Sequence, residues 1–380
     1  MLRVVHIISG LDVGGAEMML LKLLELPSED IRHEVISLSD IGPIGDRIRL
    51  AGVTVEALGV RRGVPSLSGF FRLVRKLRSG RPDVVQTWMY HADLMGGVAA
   101  RLAGVPTVIW NVQHSDLSPA HSKRMVRILA RVNAWVSGRV PDGIISCSHT
   151  GQKVHVAHGY QEKKFIVIGN GTDLSRFRPN KSDGQSVRAE LGLPQNAPLV
   201  GMLARFDPQK NHAGFLEAAG YVHQRLPEVH FLLAGKDVTA ENETLEAGIR
   251  KHGLEEVCHL LGPRSDTPRL MAALDVYVSS SSFGEGFPNV LGEAMASAVP
   301  CVVTDVGDSV SIVGDTGRAV ALNDMRGLAE RTHEILALPE AERKELGDAA
   351  RRRIAEHFEI GQVVNAYHDF YRKVAGRRTV

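Results

Sequence analysis

Cysteine is scarce: Cys147, Cys258 and Cys301 are the only three in 380 residues, far apart and in no metal-ligand spacing. That excludes a disulfide framework and fits a reducing cytoplasm. No stretch of about 18 uncharged apolar residues occurs, so no membrane-spanning helix is expected. The opening MLRVVHIISG runs directly into a strand pattern and does not read as a signal peptide. Aromatic residues make up 5% of the chain and the net charge is +2, a poor match to nucleic-acid binding. No internal repeat of solenoid length is present.

What is there is an ordinary globular composition, 44% hydrophobic and 23% charged, in a chain long enough for two domains. The near-neutral total conceals an asymmetry. Residues 1–170 carry 21 Lys and Arg against 14 Asp and Glu, a balance of +7, and the remainder carries 24 against 29, a balance of −5. A basic first half suits contact with phosphate groups or acidic lipid.

Short apolar runs alternate with amphipathic, helix-length segments. RVVHII (3–8), DVVQTW (83–88), PTVIW (106–110) and DGIIS (142–146) read as strands in the first half. The pattern restarts with APLVGML (197–203), HFLLAG (230–235), VCHLLG (257–262), DVYVSS (275–280) and PCVVTD (300–305). Such alternation predicts α/β architecture with parallel sheets covered by helices on both faces. The segment 170–186, NGTDLSRFRPNKSDGQS, reads as a linker. We therefore expect two Rossmann-like, doubly wound domains facing a central cleft, 1–170 on the acceptor side and 171–360 holding a donor. A C-terminal helix at about 360–380 is expected to pack back on the first. Ligands of such sheets sit beyond the carboxyl ends of the strands.

Three segments can carry chemistry. In SGLDVGGAEMM, Gly14 and Gly15 lead from the first strand into a helix, where close backbone approach and free N–H groups suit an anion. A plain tight turn is the other reading. It is not the G-x-G-x-x-G dinucleotide fingerprint, and no acidic residue ends a clear second strand at the right distance, which counts against an NAD enzyme. In SSSSFGEGFPNVLGEAMA, Glu285 sits in a glycine-rich loop after a strand, and Glu293 sits one turn into a helix starting near Asn289. A diphosphate fits that helix end, with Glu293 accepting from a ribose diol; surface carboxylates are the bland alternative. In MLARFDPQKN, Arg205 and Lys210 follow a strand and are placed to clamp phosphates, unless merely solvated.

Taken together and in this order, GGAE, NGTDLSRF, R-x4-K and the E-x7-E of EGFPNVLGEAMA resemble the GT-B glycosyltransferases of family four (glycosyl transferases group 1) nearly end to end. The resemblance implies that Gly14 and Gly15 border a donor diphosphate, that Arg205 and Lys210 neutralise it as it leaves, and that Glu285 contacts the transferred sugar and Glu293 the ribose. Phe287, Pro288, Asn289 and Val290 would add donor contacts, the backbone N–H groups of Asn289 and Val290 among them. His114, in WNVQHSD, would orient the transferred sugar, and His91, in QTWMYHAD, is a weaker candidate for acceptor contact. Two segments depart from the family: GDSVSIVGD (307–315) lacks a second Gly followed by Glu, and LLAGKDVTAEN (232–242) lacks Gly-x-Gly.

The expected function is hexosyl transfer, with retention, from a nucleotide diphosphate-sugar to a glycan or lipid-linked acceptor in cell-envelope or exopolysaccharide synthesis. No D-x-D run follows a strand, so we expect no metal and no cofactor beyond the sugar nucleotide. A nucleotide-sugar epimerase and a non-catalytic nucleotide-sugar-binding protein are the alternatives. Acid-free stretches from Gly59 to Arg81 and from His121 to Arg139 interleave basic with apolar residues, among them Arg61, Arg62, Leu67, Phe70, Phe71, Val74 and Leu77. They read either as helices lying on an anionic membrane face or as helices packed on the sheet with solvated arginines. The expected location is cytoplasmic, with peripheral contact at the inner face of the plasma membrane if the first of these holds.

Overall fold

In the computed structural model, which describes residues 1–60 and 66–376, the alternating pattern becomes two parallel α/β units. Arg61 and Arg62 of the first basic stretch, and the end of the chain past Gly376, lie outside the described residues. The first unit comprises residues 1–171 and 360–380, the second residues 172–359.

The first unit holds seven strands: β1 (Leu2–Ile8), β2 (Ile31–Ser37), β3 (Thr54–Ala57), β4 (Val84–Trp88), β5 (Thr107–Val112), β6 (Gly143–Ser146) and β7 (Phe165–Val167). They pair in parallel in the order β3-β2-β1-β4-β5-β6-β7. The central strands are buried on both faces, which is why their sequences are mostly apolar, and among the polar residues they carry His6, Gln86 and Asn111 are hydrogen-bonded. β1 is flanked by β2 and β4, so chain direction across the sheet reverses there and a crevice opens at its carboxyl end.

The second unit repeats the plan with β8 (Leu199–Leu203), β9 (His230–Ala234), β10 (Cys258–Leu260), β11 (Val276–Ser279), β12 (Cys301–Thr304) and β13 (Arg318–Val320). Their order is β10-β9-β8-β11-β12-β13, and the reversal falls between β8 and β11. The stretch read as a linker is one only in part. Asn180 accepts from the Asp183 amide and starts the helix Lys181–Glu190 inside it.

The C-terminal helix Ile360–Gly376 belongs to the core of the first unit. Asn111 donates to the Tyr367 hydroxyl at 3.0 Å, the Tyr371 hydroxyl donates to Gln86, and Arg372 makes a two-pronged contact with Asp30 at 2.8 and 2.9 Å. Beneath it lies a row of histidines. The Trp88 indole, which can only donate, gives its N–H to His6 Nδ1 at 3.3 Å. That leaves the His6 proton on Nε2, which donates to His33 Nδ1 at 2.9 Å, and the His33 ring stacks on His368 at 5.5 Å.

Burial holds all three histidines below their usual 6.5, His33 at about 4, with mutual repulsion adding to it for His6 and His33. The unfolded chain therefore takes up protons that the folded chain refuses, so this stability is complete above pH 6.5 and drains away as the pH falls toward 4. Urea unfolding between pH 7.5 and 4 is expected to show the midpoint falling across that window. His33→Gln should flatten the slope; an unchanged slope would show that the row does not couple helix docking to protons.

Candidate active site

In the second unit the strand reversal brings together the loops after β8 and β11, and these carry most of the residues that the motifs singled out. Glu285, only 5% exposed, is not a surface carboxylate. Its Oε1 accepts from Lys210 Nζ at 2.5 Å and from Ser281 Oγ at 2.7 Å. Buried carboxyl oxygens need such partners in place of water, and they make Glu285 an acceptor aimed from a fixed position. The two loops are laced further: Ser280 Oγ donates to the carbonyls of Lys210 and Asn211 at 3.0 and 3.1 Å, and the Ser282 amide to that of Gln209 at 2.9 Å.

Arg205 is not a bare cation either. Its Nε lies 3.1 Å from Asp207 Oδ2, while its side chain stays exposed enough to be drawn to a stronger anion. From the other side, Thr304 at the end of β12 donates to the Ser281 carbonyl, and Gly307 packs on the backbone of Glu285. Gly307 has φ +63°, and an added Cβ would strike the Glu285 carbonyl oxygen, so glycine is required there twice over. Although this segment departs from the family pattern, it supports Glu285 through its backbone.

The helix Asn289–Ala296 follows, with Pro288 at its N-cap. The Leu291 amide donates to the Pro288 carbonyl at 3.0 Å, and Asn289, Val290 and Glu293 are half-buried on the helix's first turns. The side chain of Phe287 turns inward, edge-on to Phe358 at 5.2 Å, which leaves its backbone as the part able to meet a donor.

In the first unit, Gly14 caps the helix Gly15–Glu25 at the carboxyl end of β1, in extended conformation. The neighbouring β4 runs into the helix Met89–Ala103 through Met89, a non-glycine residue at φ +70°. Backbone strain of this kind persists only where surroundings over-determine it. Met89 Sδ takes the Gln113 amide, the Asn133 amide group donates to the Tyr90 carbonyl at 2.9 Å, and the Tyr90 hydroxyl donates to His155 Nε2 at 2.9 Å. The Gln113 contact ties the start of the helix carrying exposed His91 to the residues after β5 that carry His114, and the other two tie it to the helices Arg124–Val136 and His149–Ala157. His114 is half-buried, and burial lowers its pKa against the opposing pull of Asp116. The Asp116 amide donates to His114 Nδ1 at 3.0 Å, so the neutral ring carries its proton on Nε2.

Asp207, Ser280, Ser281, Gly307 and Met89 were not anticipated from the sequence. The signals were present in D-P before a 3-10 turn and in four serines closing a buried strand.

With this geometry in place, comparison with known proteins is informative. The family model for glycosyltransferase family 4 matches residues 13–176, and that for glycosyl transferases group 1 matches residues 197–337. The chain is 27% identical, over 82% of its length and 82% of the other, to the UDP-Gal:alpha-D-GlcNAc-diphosphoundecaprenol alpha-1,3-galactosyltransferase of Escherichia coli. It is 28% identical to the alpha-maltose-1-phosphate synthase of Mycolicibacterium smegmatis, over 83% and 85% of the two chains. Among solved structures, Anabaena HepE in complex with UDP and glucose superimposes with a TM-score of 0.84 at 23% identity, covering 97% of this chain and 99% of that one. Sucrose-phosphate synthase from Thermosynechococcus elongatus gives 0.79 at 19% identity, over 99% and 100%.

The lacing of Lys210 to Glu285 generates a stability prediction. Lys210→Met strands a buried carboxylate and is expected to cost about 3 kcal/mol or more. Lys210→Met combined with Glu285→Leu should recover most of that loss. Equilibrium unfolding of the three proteins measures the coupling, and strictly additive effects would show that the pair does not hold the loops.

Proposed function

The chain belongs to the family-four glycosyltransferases of the GT-B fold, and from that premise we propose a retaining, metal-independent hexosyl transfer from a nucleotide diphosphate-sugar to a lipid-linked or glycan acceptor. Glu285, held between Lys210 and Ser281 at the strand reversal and followed by the start of the helix Asn289–Ala296, is the observation that carries the proposal. Hydroxyls of the donor sugar meet a fixed acceptor there, and a diphosphate meets N–H groups and cations next to it. Glu293, on the first turns of the same helix, is assigned to the ribose.

In the proposed reaction the bond from the sugar's anomeric carbon to the leaving phosphate oxygen breaks, and its electron pair goes to the diphosphate. The acceptor hydroxyl attacks from the same face and passes its proton to the departing phosphate oxygen. Arg205 and Lys210 supply the positive charge that a metal would otherwise bring. Lys210 already touches Glu285, so a bound donor would share that ammonium between sugar-binding carboxylate and phosphate. Such sharing couples donor occupancy to the position of Glu285. Gly14 and Gly15 are assigned to the donor diphosphate, His114 Nε2–H to a sugar oxygen and His91 to the acceptor. No cofactor other than the sugar nucleotide is proposed.

The lipid-linked acceptor is supported by the Escherichia coli relative, a galactosyltransferase named for an alpha-D-GlcNAc-diphosphoundecaprenol substrate. Among the described residues no helix is long and apolar enough to cross a membrane. We place the enzyme on the cytoplasmic side, in peripheral contact with lipid, serving envelope or exopolysaccharide synthesis.

Calorimetric titration with UDP, GDP and ADP, with and without EDTA, tests the donor site. One diphosphate is expected to bind selectively and equally well in EDTA, and Glu293→Ala should weaken it about tenfold or more. Binding that needs a divalent cation would remove the metal-independent mechanism, and binding untouched by Glu293→Ala would remove the ribose assignment. NMR of the early product then reports whether the anomeric configuration is retained.

A further inference from the structure

The two basic stretches of the first unit differ in what they do with their apolar residues. In the helix Leu67–Gly80, Leu73, Val74 and Leu77 turn into the core and Phe70 is half-buried, so most of its apolar residues pack on the sheet. The helix Arg124–Val136 behaves otherwise. It is anchored by buried Ala130, Asn133 and Ala134, with Val126, Leu129 and Val136 half-buried against the same core. Four further apolar side chains point outward: Trp135 is 77% exposed, Met125 57%, Ile128 42% and Val132 38%. Their spacing of three, four and three residues puts all four on one narrow face.

Along its own segment the charge flanking this stripe has one sign. Lys123, Arg124, Arg131 and Arg139 are exposed, Arg127 is half-exposed, and no acidic residue occurs between Asp116 and Asp142. The helix Leu67–Gly80 adds exposed Leu67 and Phe71 beside exposed Arg72, Arg75 and Arg78. Both helices contact the helix Met89–Ala103 and share one hydrophobic core cluster, so they lie on the same face of the sheet.

We infer that the outer face of the helix Arg124–Val136 is a docking surface for an anionic lipid bilayer, with Met125, Ile128, Val132 and Trp135 entering the interface and the surrounding cations meeting lipid phosphates. This inference rests on the peripheral placement proposed above and gives it a location. A helix with an apolar stripe, a tryptophan and a uniformly basic border suits the boundary between headgroup and acyl chain. An acidic protein would meet the same cations, but the stripe offers it no pocket or acceptor pattern to select. Leu67 and Phe71 form a second, smaller contact on the same side.

Flotation with vesicles tests the inference independently of catalysis. The full chain is expected to float with vesicles of 30% phosphatidylglycerol in phosphatidylcholine and to stay behind with phosphatidylcholine alone. Ile128→Asp combined with Trp135→Ser should lower partitioning at least about tenfold. Arg124→Gln combined with Arg131→Gln should lower it by about fivefold per charge and abolish its salt dependence in part. Leu322→Asp, at an exposed apolar position of the second unit, serves as the control that changes nothing. Circular dichroism melts and nucleotide titration of each variant report folding and the donor site separately, so a failed transferase reading leaves the flotation result interpretable. Partitioning unaffected by Ile128→Asp and Trp135→Ser would overturn the assignment. So would failure of the wild type to float together with concentration-dependent dimers that these substitutions dissolve.

Discussion

Glu285 can lie buried at the end of β11 only because Lys210 reaches it from the loop after β8. A desolvated carboxylate without that ammonium would be costly enough to move the loop. The pair therefore sets the distance between two loops that come from strands on opposite sides of the reversal. Once they are clamped, the serines at 280 and 282 find backbone carbonyls on the partner loop, and Gly307 closes on the backbone behind. Three strand ends, β8, β11 and β12, become one rigid platform. Its polar groups satisfy one another before any ligand arrives, as expected of a site whose orientation is set in advance.

The first unit reaches a comparable result by different means. Instead of an ion pair it uses backbone strain at Met89, held in place through Tyr90, His155 and Gln113. The Asp116 amide then fixes the tautomer of His114, so one ring nitrogen is committed to structure and the other presents a donor.

How much of this was legible in the sequence follows from where each residue's partners lie. β1, β4, β5, β6, β8, β9, β10, β11 and β12 announce themselves as mostly apolar runs, which strands packed within a parallel sheet require. β2 carries Arg32, His33 and Glu34, and β3 is a four-residue edge strand with Thr54, Glu56 and Ala57 exposed, so neither reads as an apolar run. β7 and β13 are three residues long. Glu285, Glu293, Arg205 and Lys210 stood out because their spacing follows the family and their loops follow strong strands. Their pairing did not: Lys210 with Glu285 and Arg205 with Asp207 are choices made by three-dimensional lacing, and linear spacing treats both cations as equally available. Phe287 illustrates the same limit, since membership of a motif says nothing about which way a ring turns.

The first unit is discontinuous in the chain, and that has a consequence for how the protein comes into being. Tyr367 and Tyr371 complete hydrogen bonds with Asn111 and Gln86, yet the ribosome makes them only after the whole second unit. During synthesis the first sheet thus emerges with the apolar and histidine-lined surface under its last helix uncovered. The second unit, contiguous from Thr172 to Glu359, has all its strands before that helix appears. The nascent chain is consequently expected to finish its later domain first, with the earlier one waiting on the last helix for closure.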